Sequence, residues 1–357
     1  MNSRVPLLVS MVACATCGAS LRTVPFPETG TPVLAPQVSG TMQLLQAVSV
    51  VDEDVVWVSG HGGTFTRTTD GGTTWTAAVV PGGDTLQFRD VHAFSADNAL
   101  LMGAGPGDMS RVYRTVNGGR DWELVWLNSE PAGFYDCFDF WDDRSGIMFG
   151  DAVDGELRIQ RTDDGGRTWT RVGSDGVPPA RPGEGSFAAS GTCVQTMDDS
   201  LVWIGTGAGL ASRVLKSTDR GNTWSVRGTP ILRGEASTTS GIASVAFATE
   251  SIGFVFGGEL RNTEEHTANV ARTDDGGHTW RLAEHPVFTG AICGSSLVPN
   301  TDRIVIVVVG PNGMDYSTDG AVTWRALDGE NYWAVGFAGP SAGWAVGPEG
   351  RIVKIEF

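Results

Sequence analysis

The chain has 357 residues, 18% charged and 41% hydrophobic, with 49 glycines and a formal net charge of −16 at pH 7. That charge argues against a nucleic-acid partner, because phosphate contacts need clustered Lys and Arg, and it opposes adsorption to an anionic membrane surface. No internal apolar run reaches the length of a membrane span; residues 304–310 have the length of a buried strand.

At the N-terminus, Arg4 is followed by a mostly apolar stretch over residues 5–17, the pattern of an export signal. Residues 10–14 (SMVAC) resemble a bacterial lipobox with Met11 in place of the usual Leu, which makes Cys14 the lipidation candidate. A plain cut after Ala19 is the alternative. The expected division is a leader over 1–19, a linker over 20–30 and one domain over 31–357. The expected location is outside the cytoplasm: periplasmic, outer-membrane lipoprotein or extracellular, with a membrane contact only through the lipid.

From residue 46 onward the chain repeats. Each unit has an apolar run, a polar turn, a second run ending in glycine, a third strand and then one short phrase. The phrases are residues 68–75 (TTDGGTTW), 115–122 (TVNGGRDW), 162–169 (TDDGGRTW), 217–224 (STDRGNTW), 273–280 (TDDGGHTW) and 317–324 (STDGAVTW). β-Branched and aromatic residues dominate the runs, and helical periodicity is hard to find. The closing tryptophans stand 47, 47, 55, 56 and 44 residues apart, the period of a four-stranded propeller blade. After the sixth phrase, residues 332–357 repeat three strands and stop. Residues 32–38 supply a spare strand before the first unit. Pairing the two completes a seventh blade and removes the exposed sheet edges. The fold class is therefore all-β, a seven-bladed β-propeller closed by the N-terminal strand; six blades with a ragged end is the alternative.

The phrase is turn chemistry. Asp or Asn accepts from nearby backbone N–H groups, glycine supplies positive φ, and the tryptophan packs between sheets. Asp70, Trp75, Asn117, Trp122, Asp164, Trp169, Asp219, Trp224, Asp275, Trp280, Asp319 and Trp324 are read as scaffolding and not as metal ligands, since an EF-hand needs a longer loop and flanking helices. This phrase resembles the Asp-box, or BNR repeat, of sialidases and of the photosystem II assembly factor family. Residues 88–94, 135–142, 185–192 and 229–237 also resemble a branch of exported bacterial propellers, some labelled as glycosyl hydrolases or oxidoreductases.

Three cysteines follow the leader: Cys137, Cys193 and Cys293. An odd number cannot form a closed framework, and all three are expected as small core residues, with a Cys137–Cys193 bridge left open. Ligands of a propeller lie at the mouth of its central channel, which first strands line. The starts of those strands and their linkers therefore give the candidate binding residues: Arg89, Asp90, His92, Tyr135, Asp136, Glu184, Ser190, Glu235 and Tyr332. No metal and no cofactor is expected. The glycine-rich residues 103–107 and 205–209 are turns, because no helix follows either.

Two functions compete. The assembly-factor resemblance implies a non-enzymatic scaffold, probed by a protein or peptide at the channel mouth, and a monomer. The sialidase resemblance implies a glycosidase acting on a small glycan, with an arginine triad, a tyrosine nucleophile and an acid/base carboxylate. The Arg-Ile-Pro motif of that family is absent; Arg89, Arg144 and Arg233 are the arginines to consider, and Tyr135 and Tyr332 the tyrosines. No catalytic residue is assigned, and the scaffold is the favoured reading.

Overall fold

The computed structural model describes residue 26 and residues 31–210, 212–233 and 239–357. They form seven antiparallel sheets of four strands each. Blade 1 comprises Leu45–Val50, Val56–Gly60, Thr64–Thr68 and Thr76–Val79. The first strands of blades 2 to 7 are Phe88–Ala93, Tyr135–Phe140, Val194–Met197, Ser240–Phe247, Gly294–Leu297 and Ala334–Gly339. Each first strand packs on the next, and that of blade 7 packs on that of blade 1, so the seven ring one axis. Val33–Val38 pairs antiparallel with Arg351–Glu356 and becomes the fourth strand of blade 7. The ring closes as the sequence implied, with seven blades.

Gln37 on this closing strand accepts from two indoles through one oxygen. Trp75 Nε1 of blade 1 lies 2.9 Å from its Oε1 and Trp344 Nε1 of blade 7 lies 3.1 Å away. The seam is thus held by side chains as well as by the ladder.

The six phrases fold alike at the third-to-fourth-strand turns. In blade 1, Thr68 Oγ1 donates to Asp70 Oδ1 (2.8 Å) and accepts from Gly72 N (2.9 Å). Asp70 also accepts from Thr74 N (2.8 Å) and Thr74 Oγ1 (2.7 Å). Blade 2 reverses the polarity of one bond: Asn117 Nδ2 donates to Asp121 Oδ2 at 2.8 Å, where the other blades have a Thr hydroxyl donating to Asp. Asn and Asp exchange roles there without changing the turn. Hydrogen bonds from Thr74 and Thr68 hold the Asp70 carboxyl below its ordinary range. Fourth strands begin one residue after the tryptophan, and those of blades 3 and 5 shrink to Thr170–Arg171 and Arg281–Leu282.

The core lies between blades, as eight buried apolar clusters. Trp57, Trp203 and Trp344 on second strands are fully buried. Trp203 stacks on Phe247 of the next blade with centroids 3.9 Å apart. Such aromatic contacts contribute about 0.5–1.5 kcal/mol beyond area burial.

The inner edge of each sheet presents backbone N–H groups that no strand pairs. From blade 1 to blade 5, a side chain of the preceding blade supplies a partner. Ser49 Oγ accepts from Ala93 N (3.0 Å), Asp90 Oδ2 from Phe138 N (2.8 Å), Asp139 Oδ2 from Thr196 N (2.7 Å) and Gln195 Oε1 from Phe247 N. Between blades 3 and 4 the girdle becomes covalent: Cys137 and Cys193 form a disulfide with Cα atoms 5.9 Å apart. All three cysteines are buried as expected, and the bridge left open by the sequence is formed. The two residues face each other from adjacent first-strand runs, close enough to bond, while Cys293 is buried and free.

Candidate functional site

Four first strands carry a bulge at the same level. The register slips between Leu45 and Ala47, Phe88 and Asp90, Tyr135 and Cys137, and Ile242 and Ser244. The unpaired residues are Gln46, Arg89, Asp136 and Ala243. A bulge re-aims a side chain that regular pleating would turn into the sheet stack. Here it delivers an amide, a guanidinium and a carboxyl to the end of the channel where the first strands begin.

That end is filled by the chain itself. Residues 184–192, the linker into blade 4, cross it. Gln46 Nε2 (3.2 Å) and Arg89 Nη1 (3.3 Å) donate to Ala188 O. Ser190 Oγ donates to Cys293 O of blade 6 at 2.8 Å, and Ser186 Oγ to Gly205 O at 2.9 Å. Ala189 packs with Ala243 and Cys293, with Phe187, Leu260 and Trp333 around them. Glu184, fully buried, receives Arg213 Nε at 2.8 Å and Thr206 Oγ1 at 2.7 Å.

Behind this plug lie two carboxyls in mutual hydrogen bond, Asp136 and Asp151. Burial, then the charge of Asp151, pushes Asp136 well above the usual carboxylate range, against the pull of Arg89. Burial pushes Asp151 up to about 6, and Ser186 N donates to it at 3.0 Å. Both carboxyls of the pair are thus held above the ordinary carboxyl range. Apart from this carboxyl pairing, Asp136 Oδ2 is buried and meets no N–H or O–H of the protein. Gly185 must lack a Cβ, since one would stand 1.8 Å from Asp151 Oδ1. Burial and Arg89 lower the pKa of His61, which leaves its ring neutral at pH 7. Gln46 uses its amide N–H groups on Ala188 O, so its Oε1 accepts, and His61 Nε2, 2.7 Å away, carries the hydrogen.

The opposite end of the channel is open. A pocket of about 430 Å³ there is lined by residues of all seven blades and floored by the plug. Ser49, His92, Asp139, Gln195 and Ser296 supply polar walls; Phe138, Leu297 and Phe337 supply apolar ones. His92 Nδ1 stands 3.5 Å from Asp139 Oδ1, and its ring lies between Phe94 and Phe140. Deep in the pocket a chain of hydroxyls runs from Ser190 through Thr192 and Ser244 to Ser295, with steps of 2.6, 2.7 and 2.7 Å.

The sequence candidates therefore separate into four places. Arg89, Asp136, Glu184 and Ser190 meet at the plug. Asp90 and His92 line the open pocket, with Asp90 bound by Val91 N and Phe138 N. Tyr135 and Tyr332 face away from the channel: Tyr135 OH accepts from Gln160 Nε2 at 2.8 Å beside Trp126, and Tyr332 OH donates to Asp328 at 2.6 Å. Glu235 and Cys14 lie outside the described residues. Arg144 sits in the hairpin after Tyr135–Phe140, at the opposite end of the blades from Arg89, so the imagined arginine triad does not assemble. Residues 184–192 as a plug, Gln46 and His61 beside it, and Ser49, Asp139 and Gln195 on the open pocket had no local signal. Among the described residues no group of three His, Cys, Asp or Glu stands together to hold a metal ion.

No family model matches the chain, and no curated protein matches it. Solved structures do. YCF48 bound to D1 peptide superposes with a TM-score of 0.63 at 16% identity, covering 94% of this chain and 98% of that one. YCF48 from Cyanidioschyzon merolae gives 0.60 at 16% identity, with 90% and 98% covered. The GH74 enzyme of Niastella koreensis gives 0.59 at 13% identity, covering 89% of this chain and 53% of its own. At these identities the likeness is one of fold.

Proposed function

We propose that this propeller is an exported, non-enzymatic scaffold, an assembly or stability factor that receives a protruding segment of a partner protein in the open end of its channel. The observation that carries this reading is the asymmetry of the channel: one end is filled by residues 184–192, and the other is a polar pocket walled by every blade. Its volume suits a few side chains or a loop tip. A propeller of the same fold has been solved with a peptide bound, and the disulfide fits an oxidising compartment.

The glycosidase alternative draws on the GH74 neighbour. It needs two free carboxyls about 5–9.5 Å apart flanking a glycosidic bond. The carboxylates on the pocket wall are Asp90 and Asp139, and both bind backbone amides that hold blades together. The Asp136–Asp151 pair lies beneath the plug, with no room for a sugar between two groups in direct contact.

The test replaces Ser296, a half-buried pocket residue, by tryptophan to fill the cavity. Peptides selected by display on the wild-type protein should lose binding to Ser296→Trp while the melting temperature holds. Selected peptides that bind both proteins equally would move the site elsewhere. Release of 4-methylumbelliferone from sialic acid or other glycosides, blocked by the same substitution, would favour the enzyme.

A further inference from the structure

We propose that the plugged end of the channel is itself a peptide-binding site, occupied in this state by the chain's own residues 185–191. This does not rest on the open pocket. The segment is held as a bound peptide is held, by main-chain and small-side-chain contacts to separate blades. Its Ala188 carbonyl takes two donors from blades 1 and 2. Its Ser186 N–H goes to Asp151 of blade 3, and its Ser190 hydroxyl to a carbonyl before the first strand of blade 6. Ladder pairing is confined to the single bridge of Gly185 with Gly207.

The receptor side is built independently of the occupant. Gln46, Arg89 and Asp136 reach the site through three separate bulges, a distortion that serves no pairing within their own sheets. Asp136 is buried and its Oδ2 takes no N–H or O–H from the segment; its carboxyl is engaged with Asp151 of its own blade instead.

The segment has the means to leave. Gly183 at φ +72° and Gly191 at φ +77° bracket it in the left-handed region, where glycine absorbs large rotations without a Cβ clash. Gly191 also allows close passage over Asp90, since a Cβ would come within 2.2 Å of its Oδ1. The ligand class follows from the contacts. It is a short peptide that turns tightly at the carbonyl facing Gln46 and Arg89, with an aromatic side chain one residue before that carbonyl and a hydroxyl two residues after it.

The experiment replaces residues 186–190 by glycines in the full chain and titrates a labelled peptide of the sequence GSFAASG, read by fluorescence anisotropy. The glycine variant should bind the peptide, the wild type should not, and adding Gln46→Leu should weaken binding about tenfold, the equivalent of one hydrogen bond. A folded glycine variant that fails to bind at millimolar peptide overturns the proposal. Hydrogen exchange on the unaltered protein decides the matter if the variant does not fold. Amides of residues 186–190 opening about 100-fold or more faster than those of Ser240–Phe247 support a removable occupant. Exchange of both only through global unfolding overturns it.

Discussion

Removing the Cys137–Cys193 bridge tests both the girdle around the axis and the oxidising compartment that the proposed function requires. The cysteines are 56 residues apart. Loop-closure entropy over that length assigns the cross-link about 4 kcal/mol at 25 °C. With an unfolding entropy near 2.1 cal/mol/K per residue, that loss lowers the melting temperature of a domain this large by roughly 6 °C. The variant is Cys137→Ala with Cys193→Ala, compared with the oxidised wild type by guanidinium unfolding and calorimetry. Peptide mapping of the wild type after export should recover residues 137 and 193 in one disulfide-linked fragment. The destabilisation should appear in the midpoint without a change of blade structure, because both side chains also pack in the cluster between blades 3 and 4. Two free thiols in the mapped protein, or a difference under about 1 kcal/mol with the bridge formed, would refute the reasoning.

Other outcomes follow from the same structure. Gln37→Leu should strand the Trp75 and Trp344 indole N–H groups and destabilise the seam by about 1–3 kcal/mol; an unchanged denaturation midpoint would show that the ladder alone closes the ring. The acid pair gives a pH dependence. Asp136 and Asp151 both titrate above the ordinary carboxyl range, so the stability they lend the plug is complete below about pH 4 and declines as pH rises through about 6 and beyond. The charges acting on Asp136 are Asp151 and Arg89. Hydrogen-exchange protection of residues 186–190, corrected for intrinsic rates, should fall over that range in wild type and stay level in Asp136→Asn with Asp151→Asn; equal slopes in both would remove the pair from the plug. Labelling with a palmitate analogue should mark the exported protein and fail on Cys14→Ala, and an unlabelled wild type would end the lipid-anchor expectation.

The blades were legible because their signals are local. The hydroxyl, carboxylate and glycine of each phrase bond at separations of two and four residues, so a short window contains the whole turn. The site was legible only in part. Neighbouring residues on a strand point to opposite sides, so Tyr135 and Asp136 could not both face the mouth; the bulge gave that place to Asp136 and sent the Tyr135 ring toward Trp126. Asp90 and Arg89 part for the same reason. Which residue is extra depends on how strands cross around the axis, and no local pattern marks it. Residues 184–192 read as a Gly/Ser-rich linker. Their burial comes from Gln46, Arg89 and Cys293, about 100 or more residues away in sequence, and only the closed ring brings these together. For that reason Arg89, Asp136 and Glu184 are poor choices for a binding test: alanine at all three would unseat the plug and its buried ion pair.

The asymmetry of the channel is tested most directly by site-specific photocrosslinking in the native host. A photoreactive amino acid at Ser296, on the open pocket, should join the protein to one partner, and the adduct should vanish when tryptophan at Leu297 fills the same cavity. The same probe at Leu210, half exposed on the plugged face, should give no adduct with that partner. Capture from Leu210 and not from Ser296 would contradict the assignment of the open end as the partner's site.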